Sequence, residues 1–215
     1  MNQKEIYNDL LNTITTQKLI FLISGNSISD CIDLSNNITK QGYDNIGLDF
    51  RVPGLKETLK KYKRKGLKNF GVFNICTKKD ARIAINSGAR FIFTPHIEKG
   101  IIRRCRKEKL FNSAGALTPY EINLCNELIC DSVSIYPSKL FGGLEWFGFL
   151  KRTYPSTRFI PTDSFDSGLI LEYLRLEPFA VADIIDLKQN GNFDETLKNL
   201  EKLRSEQISS VHHSL

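Results

Sequence analysis

NFGVFNICTKKDARIAINSGARFIFTP, residues 69–95, reads as a strand, a helix and the start of a second strand. NFGVF (69–73) is a short apolar run rich in strand-forming residues. Thr77 offers a capping hydroxyl to the helix that follows, and Gly88 stands where that helix must end and the chain turn into FIF (91–93). A connection of this length suits parallel strands, which need a crossover of a dozen or more residues.

The same unit recurs on both sides. LIFLI (19–23), NIGLDF (45–50), NFGVF, FIF, LFNSA (110–114), SVSIY (132–136), FIP (159–161) and AVADII (180–185) follow one another at intervals of roughly 20 to 26 residues. Pro53 suits the first turn of a helix after the second run, Thr118-Pro119-Tyr120-Glu121 reads as a capped helix start, and Gly42 and Gly66 mark helix ends as Gly88 does. Eight alternations predict an α/β fold, a (β/α)8 TIM barrel over about 19–187 with an N-terminal helix before it. An open doubly wound sheet is the alternative, but no GxGxxG or GxxxxGK loop follows the first run. Phe193, Leu197, Leu200 and Leu203 form one stripe of a closing helix over about 192–207, and His212 and His213 fall in a frayed tail. The whole chain, 1–215, reads as a single domain.

The formal net charge is +6, and the basic residues gather in 56–68 and 103–109. Leu55, Leu59 and Tyr62 accompany the first cluster, and Ile101, Ile102 and Cys105 the second, at helical spacing. The clusters therefore read as solvated outer helix faces; binding of nucleic acid or another acidic partner is the alternative, but no aromatic-rich strand or recognition motif accompanies them. The five cysteines are odd in number and form no CxxC pair, so neither a disulfide framework nor a zinc site is indicated, and Cys76 and Cys130 are expected to be buried structural thiols. No secretory leader or membrane-length apolar run is present, which predicts a reduced cytoplasmic protein.

At the strand ends stand IGLDFRVP (46–53), the unit from Gly71 to Pro95, AGALTPYE (114–121), SIYPSKLFGG (134–143), PTDS (161–164) and VADI (181–184). In order and spacing this set resembles the 2-keto-3-deoxy-6-phosphogluconate (KDPG) and 4-hydroxy-2-oxoglutarate aldolases. Their corresponding patterns are IE(V/I)TLRTP, GAGTV with a helix and GAxFIVSP, PGxATPTE, KLFPAxxxGG, PTGG and VGGS. The resemblance implies a barrel, a class I aldolase ancestry without a cofactor, a small 2-oxo acid as ligand class, and assembly as a homotrimer.

In that family a barrel lysine forms a Schiff base and a glutamate on the second strand moves protons. Only an uncharged primary amine becomes an iminium, the electron sink for carbon–carbon cleavage. The resemblance places Ser134 at the lysine position and Gly47 at the glutamate position. It sets Ser24 where the family has an arginine, Asn74 in place of a threonine, and His96 in place of a glycine. It puts Asp163-Ser164 and Ala182-Asp183 where glycine-rich strand ends bind phosphate through backbone N–H groups, so carboxylates are expected to point into that pocket and repel an anion. Arg51 and Thr162 remain, and with Asn74 and Ser134 they form the expected substrate-binding set.

Relocated chemistry has two candidates, Asp49 as a proton carrier and Lys139 as a displaced amine, although Asp49 reads better as a structural partner of Arg51. Asp49, Asp163, Asp183 and Asp186, with His96, could gather around a divalent metal, but no metal site is expected. The expectation is a divergent member that has lost Schiff-base cleavage and acts in binding or assembly. The alternative is a lyase on a small 2-oxo acid with altered catalytic residues.

Overall fold

From Leu19 to Asp186, strand and helix alternate in the order β1 (Leu19–Ser24), α2 (Ile28–Lys40), β2 (Asn45–Asp49), α3 (Leu55–Tyr62), β3 (Asn69–Phe73), α4 (Lys78–Asn86), β4 (Phe91–Thr94), α5 (Lys99–Lys107), β5 (Phe111–Gly115), α6 (Pro119–Glu127), β6 (Ser132–Ile135), α7 (Gly143–Thr153), β7 (Phe159–Asp163), α8 (Ser167–Arg175) and β8 (Val181–Asp186). Helix α1, Gln3–Gln17, precedes them. The structure, a computed structural model, describes residues 2–62, 69–188, 198–199, 201–203 and 205. Each strand lies parallel to the next, and β8 pairs back to β1 from Leu19↔Val181 to Ser24↔Asp186, closing the expected barrel.

Local chemistry places most boundaries as the sequence suggests. Thr77 accepts the Asp80 backbone N–H at 3.2 Å, and Thr118 and Glu121 form a reciprocal capping box. Gly42 and Gly88 adopt φ of 93° and 88°, the left-handed conformation that a helix end favours in glycine. Pro53 is a correction: it lies in a turn outside α3, because Gly54 beside it has φ of 79° and cannot continue a helix. Strand β7 extends two residues past FIP, since Thr162 and Asp163 still pair with Ala182 and Asp183.

The 192–207 helix lies largely outside the described residues; 198–199, 201–203 and 205 are helical, and Leu203 is buried. Gly66, Phe193, Leu197, Leu200, His212 and His213 lie outside them, as do 63–68 of the first basic cluster and the Tyr62 side chain. In α5, Ile101, Ile102 and Cys105 face the core while Arg103, Arg104, Arg106 and Lys107 are exposed. Among the described residues no helix is long and apolar enough to cross a membrane.

Period-2 alternation divides the apolar residues into two layers. One set, including Phe21, Leu48, Val72, Ile92 and Val133, packs against the helices. The other, including Ile20, Leu22, Phe73, Phe91, Phe93, Phe111, Ile160 and Ala182, fills the barrel, and Leu10 and Ile14 of α1 join it. Helix α1 is fixed below the strands by Asp9 to Arg90 at 3.0 Å and by Tyr7 to Asp131. The barrel therefore opens at the C-terminal ends of its strands and is stoppered at the other end.

Two glycines set the packing in between. A Cβ on Gly71 would stand 2.1 Å from the Phe91 ring, and one on Gly47 would stand 2.7 Å from Leu22 and 3.1 Å from Phe91. Phe91 is fully buried in the space these glycines leave. Gly71→Ala should destabilise the fold by about 2 kcal/mol through overpacking. Denaturant melts of Gly71→Ala, Phe91→Leu and the double variant should show losses that are less than additive, because the smaller leucine side chain admits the new methyl.

Candidate functional site

The open end holds a small pocket open to solvent. Leu22, Phe73, Phe93, Pro95, Tyr136 and Ile184 give it apolar walls, and Asn74, Thr94, Ser134 and Thr162 add polar groups. Three expected binding residues, Asn74, Ser134 and Thr162, thus meet here. Ser134 projects from β6 with its hydroxyl buried and donating to Thr162 Oγ1 at 2.8 Å, and Thr162 passes a bond to the Ile160 carbonyl at 3.1 Å. This is a closed chain of neutral hydroxyls.

Arg51 and Asp49 stand beside the pocket, joined to it through Asn74. Asp49 is 1% exposed and receives hydrogen bonds from Ser24 Oγ at 2.9 Å, Asn74 Nδ2 at 3.0 Å, and Arg51 Nε and Nη2 at 3.0 and 2.8 Å. Burial alone would push its carboxyl up, but the Arg51 hydrogen bonds and charge, with the Ser24 hydroxyl, outweigh burial and hold it below the usual range. An ionised carboxylate with its lone pairs so engaged is a poor proton carrier at neutral pH. Asp49 acts as the structural partner of Arg51, whose own side chain is 71% exposed. Asn74 adopts φ of 58°, a left-handed conformation that asparagine tolerates better than most residues, and this turns its amide toward Asp49.

Lys139 does not line the pocket. The chain leaves β6 through a cis Tyr136–Pro137 bond, and Lys139 sits beyond it with its ammonium on the Ser164 carbonyl and 3.9 Å from Asp163 Oδ1. Both contacts hold its amine on the loop, away from the pocket lining.

The acidic strand ends differ from expectation. Asp163 and Asp183 follow Thr162 and Ala182, whose side chains face the barrel interior, so their own carboxylates turn outward, and neither lines the pocket. Asp163 accepts the backbone N–H groups of Lys139 at 2.8 Å and Ser164 at 2.9 Å, and Asp183 accepts that of Phe165 at 2.9 Å. Asp186 accepts the Lys188 N–H at 3.0 Å. Among the described residues no three of His, Cys, Asp and Glu gather as metal ligands, and His96 is exposed on the loop after β4. Cys76 is exposed rather than buried, because it lies past the end of β3 and outside the helix layer; Cys130 is half-buried.

Sequence reading missed Leu22, Phe73, Phe93 and Tyr136 as determinants of the mouth. For two of them the signal was parity: Leu22 shares an inward-facing alternation with Ser24, and Tyr136 with Ser134.

A closed parallel barrel with its pocket at the C-terminal strand ends has the architecture of the barrel enzymes. A profile of the KDPG and KHG aldolase family matches residues 10–196, and the chain belongs to that family. It is 21% identical over 193 residues to the 2-dehydro-3-deoxy-phosphogluconate aldolase of Haemophilus influenzae, covering 86% of this chain and 91% of the relative. The 4-hydroxy-2-oxoglutarate/2-dehydro-3-deoxyphosphogluconate aldolase from TTHB1 superposes with a TM-score of 0.80 at 22% identity, over 92% of this chain and 98% of that one. The KDPG aldolase of Legionella pneumophila, solved with pyruvate captured as a covalent carbinolamine, superposes with a TM-score of 0.74 at 14% identity, over 91% and 96% of the two chains.

Asp183 supplies a pH test. Burial, aided by the charges of Asp163 and Asp166 and opposed by the Phe165 N–H and by Lys139, raises its carboxyl from 3.8 to about 7. The folded chain then holds this proton more tightly than the unfolded chain, so stability falls as pH rises from about 4 to about 7 and levels off above. Asp183→Asn should gain about 2 kcal/mol over the parent at pH 8 and little at pH 4, read from denaturation midpoints. Equal effects at both pH values would contradict the assignment.

Proposed function

We propose that this chain is a KDPG-type barrel that has given up Schiff-base aldol cleavage and serves as a binding or assembly protein. The observation that carries the reading is Ser134. The position that the family resemblance assigns to the reactive lysine holds a buried hydroxyl already donated to Thr162. Two further features support it. The room for a glutamate at Gly47 is taken by Leu22 and Phe91, and Lys139 is engaged by Asp163 and Ser164 outside the pocket. The pocket offers hydroxyls, an amide and a nearby guanidinium, which suit reversible binding of a small 2-oxo acid more than covalent capture.

Incubation with pyruvate and borohydride, followed by intact mass, tests the reading. The parent should show no pyruvyl adduct, and Ser134→Lys should still lack turnover on 4-hydroxy-2-oxoglutarate because Gly47 supplies no acid or base. An adduct on any lysine of the parent would overturn the proposal in favour of a retained lyase.

Assembly as a homotrimer is the second part of the reading. Leu140, Phe141 and Phe149 are exposed in and after the β6–α7 loop, and Phe149 stacks on Trp146 with centroids 5.2 Å apart. Exposed apolar side chains of this kind support burial against another copy. Light scattering should give a trimer mass for the parent and a smaller species for Leu140→Asp/Phe141→Asp; a monomeric parent at micromolar concentration refutes this part.

A further inference from the structure

Helix α6 ends in a turn that sets two cysteines against each other. Cys130 donates its backbone N–H to the Cys125 carbonyl at 3.0 Å, and Ile129 donates to that of Asn126 at 3.0 Å, the paired bonds that close a helix over a left-handed residue. Helices α2, α4 and α5 share the longer-range bond, which runs from Tyr43 to Ile38, from Ala89 to Ala84 and from Leu110 to Cys105. The two residues joined in this way ordinarily make an apolar contact. Of these four turns, that of α6 alone has cysteine at both places. The 3.0 Å bond leaves their Cα atoms under roughly 7 Å apart, the limit beyond which two cysteines cannot be bridged without backbone movement. The residue between them is also unusual. Gly42 and Gly88 take the left-handed position in α2 and α4, but α6 puts Ile129 there at φ of 58°, a strained conformation for an exposed, β-branched residue.

We propose that Cys125 and Cys130 are a reversible oxidation site, which closes a disulfide across this turn when the protein meets a peroxide. Cys130 is half-buried whereas Cys125 is buried, so the oxidant arrives at Cys130. The Cys130 sulfur takes an oxygen from hydrogen peroxide, giving a sulfenic acid and one water. The Cys125 sulfur then attacks it: the S–S bond forms, the S–O bond breaks, and the hydroxyl leaves with the Cys125 proton as a second water. Two thiols have lost two electrons and the peroxide has gained them. The Cys125 thiol beside it, burial, and the nearby Asp131 and Cys105 push the Cys130 thiol up. The first step is therefore slow at neutral pH and quickens in alkali, as the thiolate forms. The cross-link ties together the two ends of the strained turn and holds Ile129 in its left-handed conformation. Asp131, next in the chain, accepts the Tyr7 hydroxyl and the Asn112 backbone N–H, so the lock adjoins the anchor of α1. The site is independent of what the barrel mouth binds.

Peptide mass spectrometry of the full chain tests the proposal. Residues 110–139 hold no lysine or arginine before Lys139, so trypsin leaves both cysteines in one peptide and Cys105 in another. After hydrogen peroxide at about pH 9 and alkylation of the remaining thiols, the 110–139 peptide should be lighter by two hydrogens and carry no alkyl group. Dithiothreitol should restore both alkylation sites, and the cross-link should form at least about tenfold faster at pH 9 than at pH 7. The exposed Cys76 reports that the oxidant has acted. Cys125 and Cys130 both still open to alkylation once Cys76 is oxidised would overturn the proposal, as would a link from the 110–139 peptide to the one carrying Cys105. Amide hydrogen exchange reads the lock itself: exchange at Ile129, Cys130 and Asp131 should slow by at least about threefold in the oxidised chain. Unchanged or faster exchange there would overturn the lock.

Discussion

The ring of Phe91 lies where side chains on Gly47 and Gly71 would otherwise meet, and this contact fixes what the barrel can hold. A closed eight-stranded sheet has little interior volume, and its inward positions share that volume. Giving one position a phenyl ring obliges two neighbours to have no side chain at all. The middle of the barrel is thereby committed to apolar packing. Below that layer the buried Asn45 and Asn69 bond each other at 3.3 Å, and above it Ser134, Thr162 and Asn74 meet the solvent-open pocket.

Above that layer, polar groups are largely satisfied by one another. Ser24, Asn74 and Arg51 converge on Asp49, Ser134 bonds Thr162, and Asp163 and Asp183 take the N–H groups of the neighbouring loops. A reactive site usually leaves a group short of partners, so that substrate or transition state completes the set. Here most of these groups are completed by the resting protein, and the exception in the pocket lining is the Thr94 hydroxyl, which is buried without a partner.

The barrel was legible because its signals are local and repeated. Eight apolar runs, Thr77 and Thr118 as caps, and Gly42 and Gly88 as helix ends each have a short-range physical cause, and each stands as read. The site was legible only in part. Parity along β2 placed Gly47 and Asp49 on one face, and charge suggested the pairing of Asp49 with Arg51. The direction of Asp163 and Asp183 was misread, because a resemblance assigns a position to a pocket while strand alternation decides which way its side chain turns. The donors they accept come from the β6–α7 loop and from the β7–α8 connection, and a contact across 24 residues such as Lys139 to Asp163 leaves no mark in sequence spacing. Cys76 was misplaced for a related reason: it adjoins a buried strand in the chain, but the loop carries it into solvent.

Helix α1 gives the molecule a direction of traffic. With Leu10 and Ile14 seated among the interior residues and Tyr7 and Asp9 tied to Asp131 and Arg90, the barrel is a cup and not a tube. Anything that enters must leave by the same rim, so arrival and departure compete for one doorway framed by Tyr136, Asn74 and Pro95. Residence time is then governed by the stiffness of that rim and by the depth at which Phe73 and Phe93 stop the occupant.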